Sequence, residues 1–273
     1  MFIVPIFLIC LSLFLLSAGL FVYAFRQGQW AVRAAKGGRY IFALATILLT
    51  YVGADVATSP NTTESFHVST ILLAVAIGWL TVFAWQFWNL NLIGAFTAPI
   101  AAILLMVDAF FSNGPSLPLN AHPSGPLLLG HIVSAVVGQA FAVAACGTSL
   151  LLLWQERKLK QKQLADVPLS YPAMDSLANA LSSTLWIGFT FISASLITGA
   201  IIVKTSAVPV SFSTSGKSSW AILVWGWYLT ILVLRNVLSY PPHRIARLSL
   251  VGFVLLALSW FGMGFSADLW SGL

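Results

Sequence analysis

The chain has 273 residues, of which 59% are hydrophobic and 7% charged, with a formal net charge of +6. A soluble domain carries roughly 25% charged residues because water must wet its surface, so this composition excludes a conventional soluble domain and turns most of the surface toward lipid. The positive charge does not point to nucleic acid, and no such partner is expected: the basic residues cluster between apolar runs, where they set membrane topology.

The first apolar run, about residues 2–25, has no basic residue before it and is longer than the apolar part of a cleaved signal, so it reads as a retained first helix. Further runs lie at about 40–58, 68–88, 92–111, 127–154, 179–203, 218–239 and 247–266. Each approaches the roughly 20 residues that cross about 30 Å of hydrocarbon. Backbone polar groups there must bond within their own segment, which predicts helices. The expected fold class is all-α: a polytopic integral membrane protein of about eight transmembrane helices, with a four-helix half over 1–112 and a second half over 127–266.

Arg26, Arg33, Lys36 and Arg39 follow the first run, Arg157, Lys158, Lys160 and Lys162 the fifth, and Arg235, Arg244 and Arg247 lie between the seventh and eighth. These segments alternate so as to share one side, and the opposite side holds only Lys204 and Lys217. Positive loops stay in the cytoplasm, which predicts both termini outside. The outer connections, about 59–67, 112–126 and 204–217, are rich in turn-forming residues. The inner segment 155–177 reads as a short helical extension followed by a linker. Cys10 and Cys146 sit in apolar runs without a CxxC or CxxCH pattern, so neither a disulfide framework nor covalent haem attachment is indicated.

Polar groups are costly in lipid, and each needs a reason. His131 opens the fifth run near the outer face, and His131, Ser134 and Gly138 share a helical face where another helix or a flat ligand could approach. Two readings of His131 stay open: a metal or haem ligand, since neutral imidazole is a common protein ligand, and an interfacial histidine bonded to a neighbouring loop. His67 and His122 also fall on the outer side, and His243 alone on the inner. Asp55 and Asp108 lie near outer helix ends, where water is within reach. Most of the 11 Trp suit the lipid belt and packing.

The segment GHIVSAVVGQAFAVAACGTSLLLLWQERKLK (130–160) resembles the histidine-bearing helix of the cytochrome c assembly protein family, which includes CcsA-, CcmC- and HemX/YpjD-like proteins. The resemblance continues in order through GFTFISASLITGAIIVK (188–204), GKSSWAILVWGWYLTILVLR (216–235) and IARLSLVGFVLLALSWFGMGF (245–265), so the half over 127–266 is the assembly-like one. The eight-helix plan looks most like the HemX/YpjD-like branch. The resemblance implies haem, taken as haem b, held near the outer face, with His131 as iron ligand and Trp220 and Lys217 flanking the ring; a second ligand is then another residue, such as His67 or His122, or is absent. The chain departs from the CcsA pattern in three places. The outer loop SAVPVSFSTSGKSSW (206–220) lacks repeated tryptophans, Trp270 stands where a second outer histidine is expected, and Val233 stands where the CcsA type has a histidine within the membrane. The resemblance further implies a bacterial inner membrane, with the bilayer, haem and other assembly or membrane-complex proteins as partners. No bond-making chemistry is evident. A small-solute transporter or channel using Asp55 or Asp108, and a non-catalytic scaffold for a membrane complex, are the alternatives.

Overall fold

The structure, a computed structural model, describes residues 3–24, 30–58, 65–90, 92–111, 125–162, 172–205 and 212–270. Among these residues the chain forms eight helices and no strand: α1 (Ile3–Ala24), α2 (Ala31–Thr58), α3 (Ser65–Phe87), α4 (Gly94–Phe111), α5 (Gly125–Lys160), α6 (Met174–Thr205), α7 (Phe212–Asn236) and α8 (Pro242–Trp270). Six are long and apolar enough to cross a membrane, and α4 is a shorter apolar helix. The chain is a polytopic helical membrane protein, as the hydropathy pattern predicts.

Several helices begin before their apolar runs. Arg33, Lys36 and Arg39 belong to the first turns of α2 rather than to a loop, because helix formers such as Ala34, Ala35 and Lys36 continue the helix beyond the hydrocarbon. The segment 212–220, expected as part of an outer loop, forms the first turns of α7. α8 starts at Pro242, whose fixed φ and missing N–H suit a first helical position, and the amides of Arg244 and Ile245 donate to the Pro241 carbonyl at 3.0 and 3.3 Å. α5 extends past its apolar run to Lys160, as expected. The turn after α3 closes on Asn89 at φ 52°, with the Leu90 amide donating to Ala84 O at 3.2 Å, a left-handed cap that asparagine tolerates.

Two apolar cores share α5. One joins α1–α4 to Val136, Ala140 and Val143. The other joins Ala142, Ala145 and Leu152 of α5 to α6, α7 and α8, and takes in Ala24 of α1, Ala84 of α3 and the turn residues Leu90, Leu92 and Ile93. In the first, Phe14 and Phe42 meet edge to face at 5.2 Å, and Ser17 donates to Gly38 O at 2.9 Å across α1 and α2. The α7–α8 hairpin is pinned by three bonds: Trp220 Nε1 to Leu255 O at 3.2 Å, Trp227 Nε1 to Leu248 O at 3.1 Å, and Arg235 Nη1 to Tyr240 O at 3.3 Å. Each pair lies symmetrically about the Val237–Leu238 turn, so the helices run antiparallel in one register. Gln155 Nε2 donates to Pro172 O at 3.3 Å and closes the α5–α6 hairpin in the same way.

Beyond the apolar run of α5, Glu156 accepts from Lys160 Nζ at 2.7 Å and lies 3.7 Å from His243 Nδ1 of α8. The Lys160 bond, aided by the charges of His243, Lys160 and Arg247 and opposed by partial burial, holds the Glu156 carboxyl below its ordinary value. A depressed carboxyl contributes stability above its unfolded value of 4.5 and loses it as pH falls through the folded value. Glu156→Gln is therefore expected to cost up to about 1 kcal/mol at neutral pH. The difference from the parent should vanish in thermal melts well below pH 4.5.

Close packing in lipid relies on small residues. A Cβ at Gly78 of α3 would lie 2.5 Å from Thr46 Cγ2 and 2.6 Å from Thr46 Oγ1 of α2. Gly78→Ala is expected to lower stability in mild detergent by about 1–3 kcal/mol. Adding Thr46→Ala, which deletes both clashing atoms, should recover part of the loss in a double-mutant cycle of melting curves.

Candidate functional site

His131 stands six residues into α5 and is partly buried against α6. Its Nδ1 lies 2.8 Å from Ser195 O, with Ser195 Oγ at 3.3 Å and Thr198 Oγ1 at 3.4 Å. A carbonyl oxygen can only accept, so Nδ1 carries the hydrogen and donates it. In the neutral ring Nε2 then keeps its lone pair, the state in which imidazole ligates a metal. Thr198 Oγ1 donates to Ala194 O at 2.9 Å and Ser195 O at 3.0 Å, so its hydroxyl hydrogen is directed at the helix and not at the ring.

The ring fits because α6 has no side chain beneath it. A Cβ at Gly199 would lie 2.9 Å from His131 Cε1 and 3.2 Å from Nδ1. Deeper along the seam a Cβ at Gly138 would lie 2.8 Å from Ile192 Cγ1 and 3.1 Å from Ile192 N, and one at Gly188 would lie 3.1 Å from Phe141 Cβ. The small-residue strip is thus filled by a helix. Ser134 turns its hydroxyl onto its own helix, at 2.7 Å from Gly130 O and 3.0 Å from His131 O.

The other candidates are placed as follows. Trp220 is partly buried on α7 and spends its N–H on α8 rather than on His131. His122 lies outside the described residues, and so do the side chains of His67 and Lys217, whose backbones belong to the first turns of α3 and α7. Lys204 is exposed in the last turn of α6, beyond Gly199. Val233 is 42% exposed on α7. An apolar groove of about 530 Å³ between α3 and α5 is lined by residues including Trp79, Phe83, Phe87 and Phe141, but by neither His131 nor Trp220. Asp108 corrects an expectation: it is fully buried instead of reaching water, because it lies on the face of α4 that carries the buried Ala101, Leu104 and Leu105. The Asp55 side chain lies outside the described residues.

Sequence reasoning missed Ser195, Thr198 and Gly199. Their signal was a polar and small set inside an otherwise apolar helix, SASLITG (193–199), at a register that nothing linear could match to His131. Gly199→Ala is expected to push the imidazole off α6 and break the bond to Ser195 O. Nitrogen NMR of histidine-labelled protein should show His131 as the Nδ1–H tautomer in the parent and a tautomer mixture in the variant.

A model of the Cytochrome C assembly protein family matches residues 61–270, a stretch that takes in α3 to α8. The chain is similar to the cytochrome c biogenesis protein CcsA of Guillardia theta, with 25% identity over 202 residues, 65% of this chain and 64% of that protein. It is also similar to the inner membrane protein YpjD of Escherichia coli K12, with 26% identity over 162 residues, 59% of each chain. The aligned region therefore spans less than two thirds of either relative. With a match over most of its length and the histidine-bearing helix inside it, this chain belongs to the cytochrome c assembly protein family.

Proposed function

We propose that this protein handles haem for cytochrome c maturation in a bacterial cytoplasmic membrane, binding it through Nε2 of His131. The observation that carries the reading is the 2.8 Å bond from Nδ1 to Ser195 O, which orients the ring and leaves Nε2 as the donor atom. Partners of this kind fix the orientation of metal-ligating histidines and raise their basicity. The donor set fits haem better than a bare metal ion. Among the described residues no three His, Cys, Asp or Glu come together, whereas a porphyrin fills four positions itself and asks the protein only for axial donors.

Location supports the same reading. Arg157 follows His131 by 26 residues, about 39 Å along a helix, which is more than the hydrocarbon thickness. Basic residues mark the cytoplasmic side, so His131 belongs to the outer face and both termini lie outside. His67 or His122 would supply a second ligand. Trp220 would wall the ring, and Lys217 or Lys204 would meet its carboxylates. When bound, haem b supplies the iron. The protein's part is to hold the ring through the His131 imidazole, keep that imidazole in one tautomer, and present or transfer the group to a partner.

The test is an absorption spectrum of the protein purified in mild detergent, oxidised and reduced, with haem supplied during expression. The expected result is a stoichiometric Soret band and sharpened reduced bands. His131→Ala should weaken haem retention by more than about tenfold, the low end of what losing even a ligand's supporting partner costs. No chromophore after haem addition would overturn the reading and favour a non-catalytic scaffold or a transporter.

A further inference from the structure

Buried hydroxyls on these helices almost all bond back to a carbonyl one turn earlier. Thr148 does so at 2.8 Å to Ala144 O, Thr184 at 2.9 Å to Ala180 O and Thr46 at 2.9 Å to Phe42 O. Three do not. Ser149 of α5 and Ser249 of α8 are fully buried, Tyr228 of α7 is 2% exposed, and none of the three hydroxyls has a hydrogen-bond partner among the described residues.

These three come from three different helices at one depth. Glu156 and His243 set α5 against α8. Ser149 lies seven residues back from Glu156 and Ser249 six residues on from His243. At about 1.5 Å per residue these are about 10 and 9 Å along antiparallel helices. Tyr228 reaches the same level from α7: a Cβ at Gly252, one turn beyond Ser249, would lie 3.3 Å from Tyr228 Cζ. Cys146, one turn before Ser149 on α5, is 6% exposed. Two turns before Cys146 on the same face of α5, Gln139 Oε1 is likewise buried with no hydrogen-bond partner among the described residues.

Buried polar atoms are satisfied by protein or by ordered water, and an internal water needs two to four polar partners. We propose that Ser149, Tyr228 and Ser249 bind internal water where α5, α7 and α8 meet, with Cys146 at its edge. The water completes hydroxyls that would otherwise be orphaned in lipid. It also gives the second core a polar joint, whereas Cys10, also fully buried, sits in the first core among apolar side chains.

The test is X-ray hydroxyl-radical footprinting of the full chain in mild detergent, read by mass spectrometry. Radicals form from bound water, so Cys146 and Tyr228 should be modified several-fold faster than Cys10. Equal rates at Cys146, Tyr228 and Cys10 would overturn the proposal. Ser249→Ala supplies a second readout. Losing a water-bonded hydroxyl should lower the melting temperature and slow Cys146 modification; a raised melting temperature would mean that a dry, unpaired hydroxyl had been removed.

Discussion

Close approach of α5 to α6 is the contact from which the geometry of the candidate site follows. Lipid tails are as apolar as leucine, so helices in a bilayer gain little by hiding apolar surface from one another and associate through tight packing and hydrogen bonds. Gly138 and Gly188 remove the side chains that would hold α5 and α6 apart. Once the backbones are that close, the imidazole of His131 has only the face of Gly199 to lie on, and Ser195 O is within reach of Nδ1. A wider spacing would leave a polar ring beside a carbonyl it could not reach. α5 also packs on α3, α4 and α8, so its placement against α6 positions both cores relative to His131.

The His131–Ser195 bond has two effects. It satisfies a ring nitrogen within a helix seam, which is all that a structural histidine needs. It also fixes the tautomer, and so leaves the second nitrogen with a lone pair that can ligate a metal and no hydrogen to give a carbonyl. Tryptophans of α7 show the purely structural use of the same kind of contact: Trp220 and Trp227 each spend their single N–H on a carbonyl of α8, and Trp225 on Ser193 Oγ at 2.9 Å. Indole has nothing left to offer after that bond, whereas imidazole has Nε2.

Hydropathy made the eight helices legible because each run must satisfy its own backbone in lipid. It was blind to the helix ends. Arg33 and Lys36 are polar and yet helical, since a helix ends where its capping and packing end and not where the hydrocarbon does. Asp108 shows a second kind of blindness. Its position near a helix end implied water, but burial depends on which neighbours cover that side of the helix, and linear order does not state this. For His131 the residues left two readings open, a ligand or a bond to a neighbouring loop. The structure supplies a neighbouring helix in place of the loop, and the partner stands 64 residues away. The hydroxyls of Ser149 and Ser249 were equally invisible, since an ordinary serine in an apolar helix bonds its own backbone and gives no sign when it does not.

In the proposed function an imidazole at position 131 is the group that holds haem. The most direct measurement is chemical complementation: His131→Gly, reconstituted with haem and titrated with free imidazole while the absorption spectrum is followed. If His131 holds haem, the variant alone has lost the parent's reduced bands and imidazole restores them saturably. A variant that binds haem with the parent's spectrum and affinity in the absence of imidazole would contradict it.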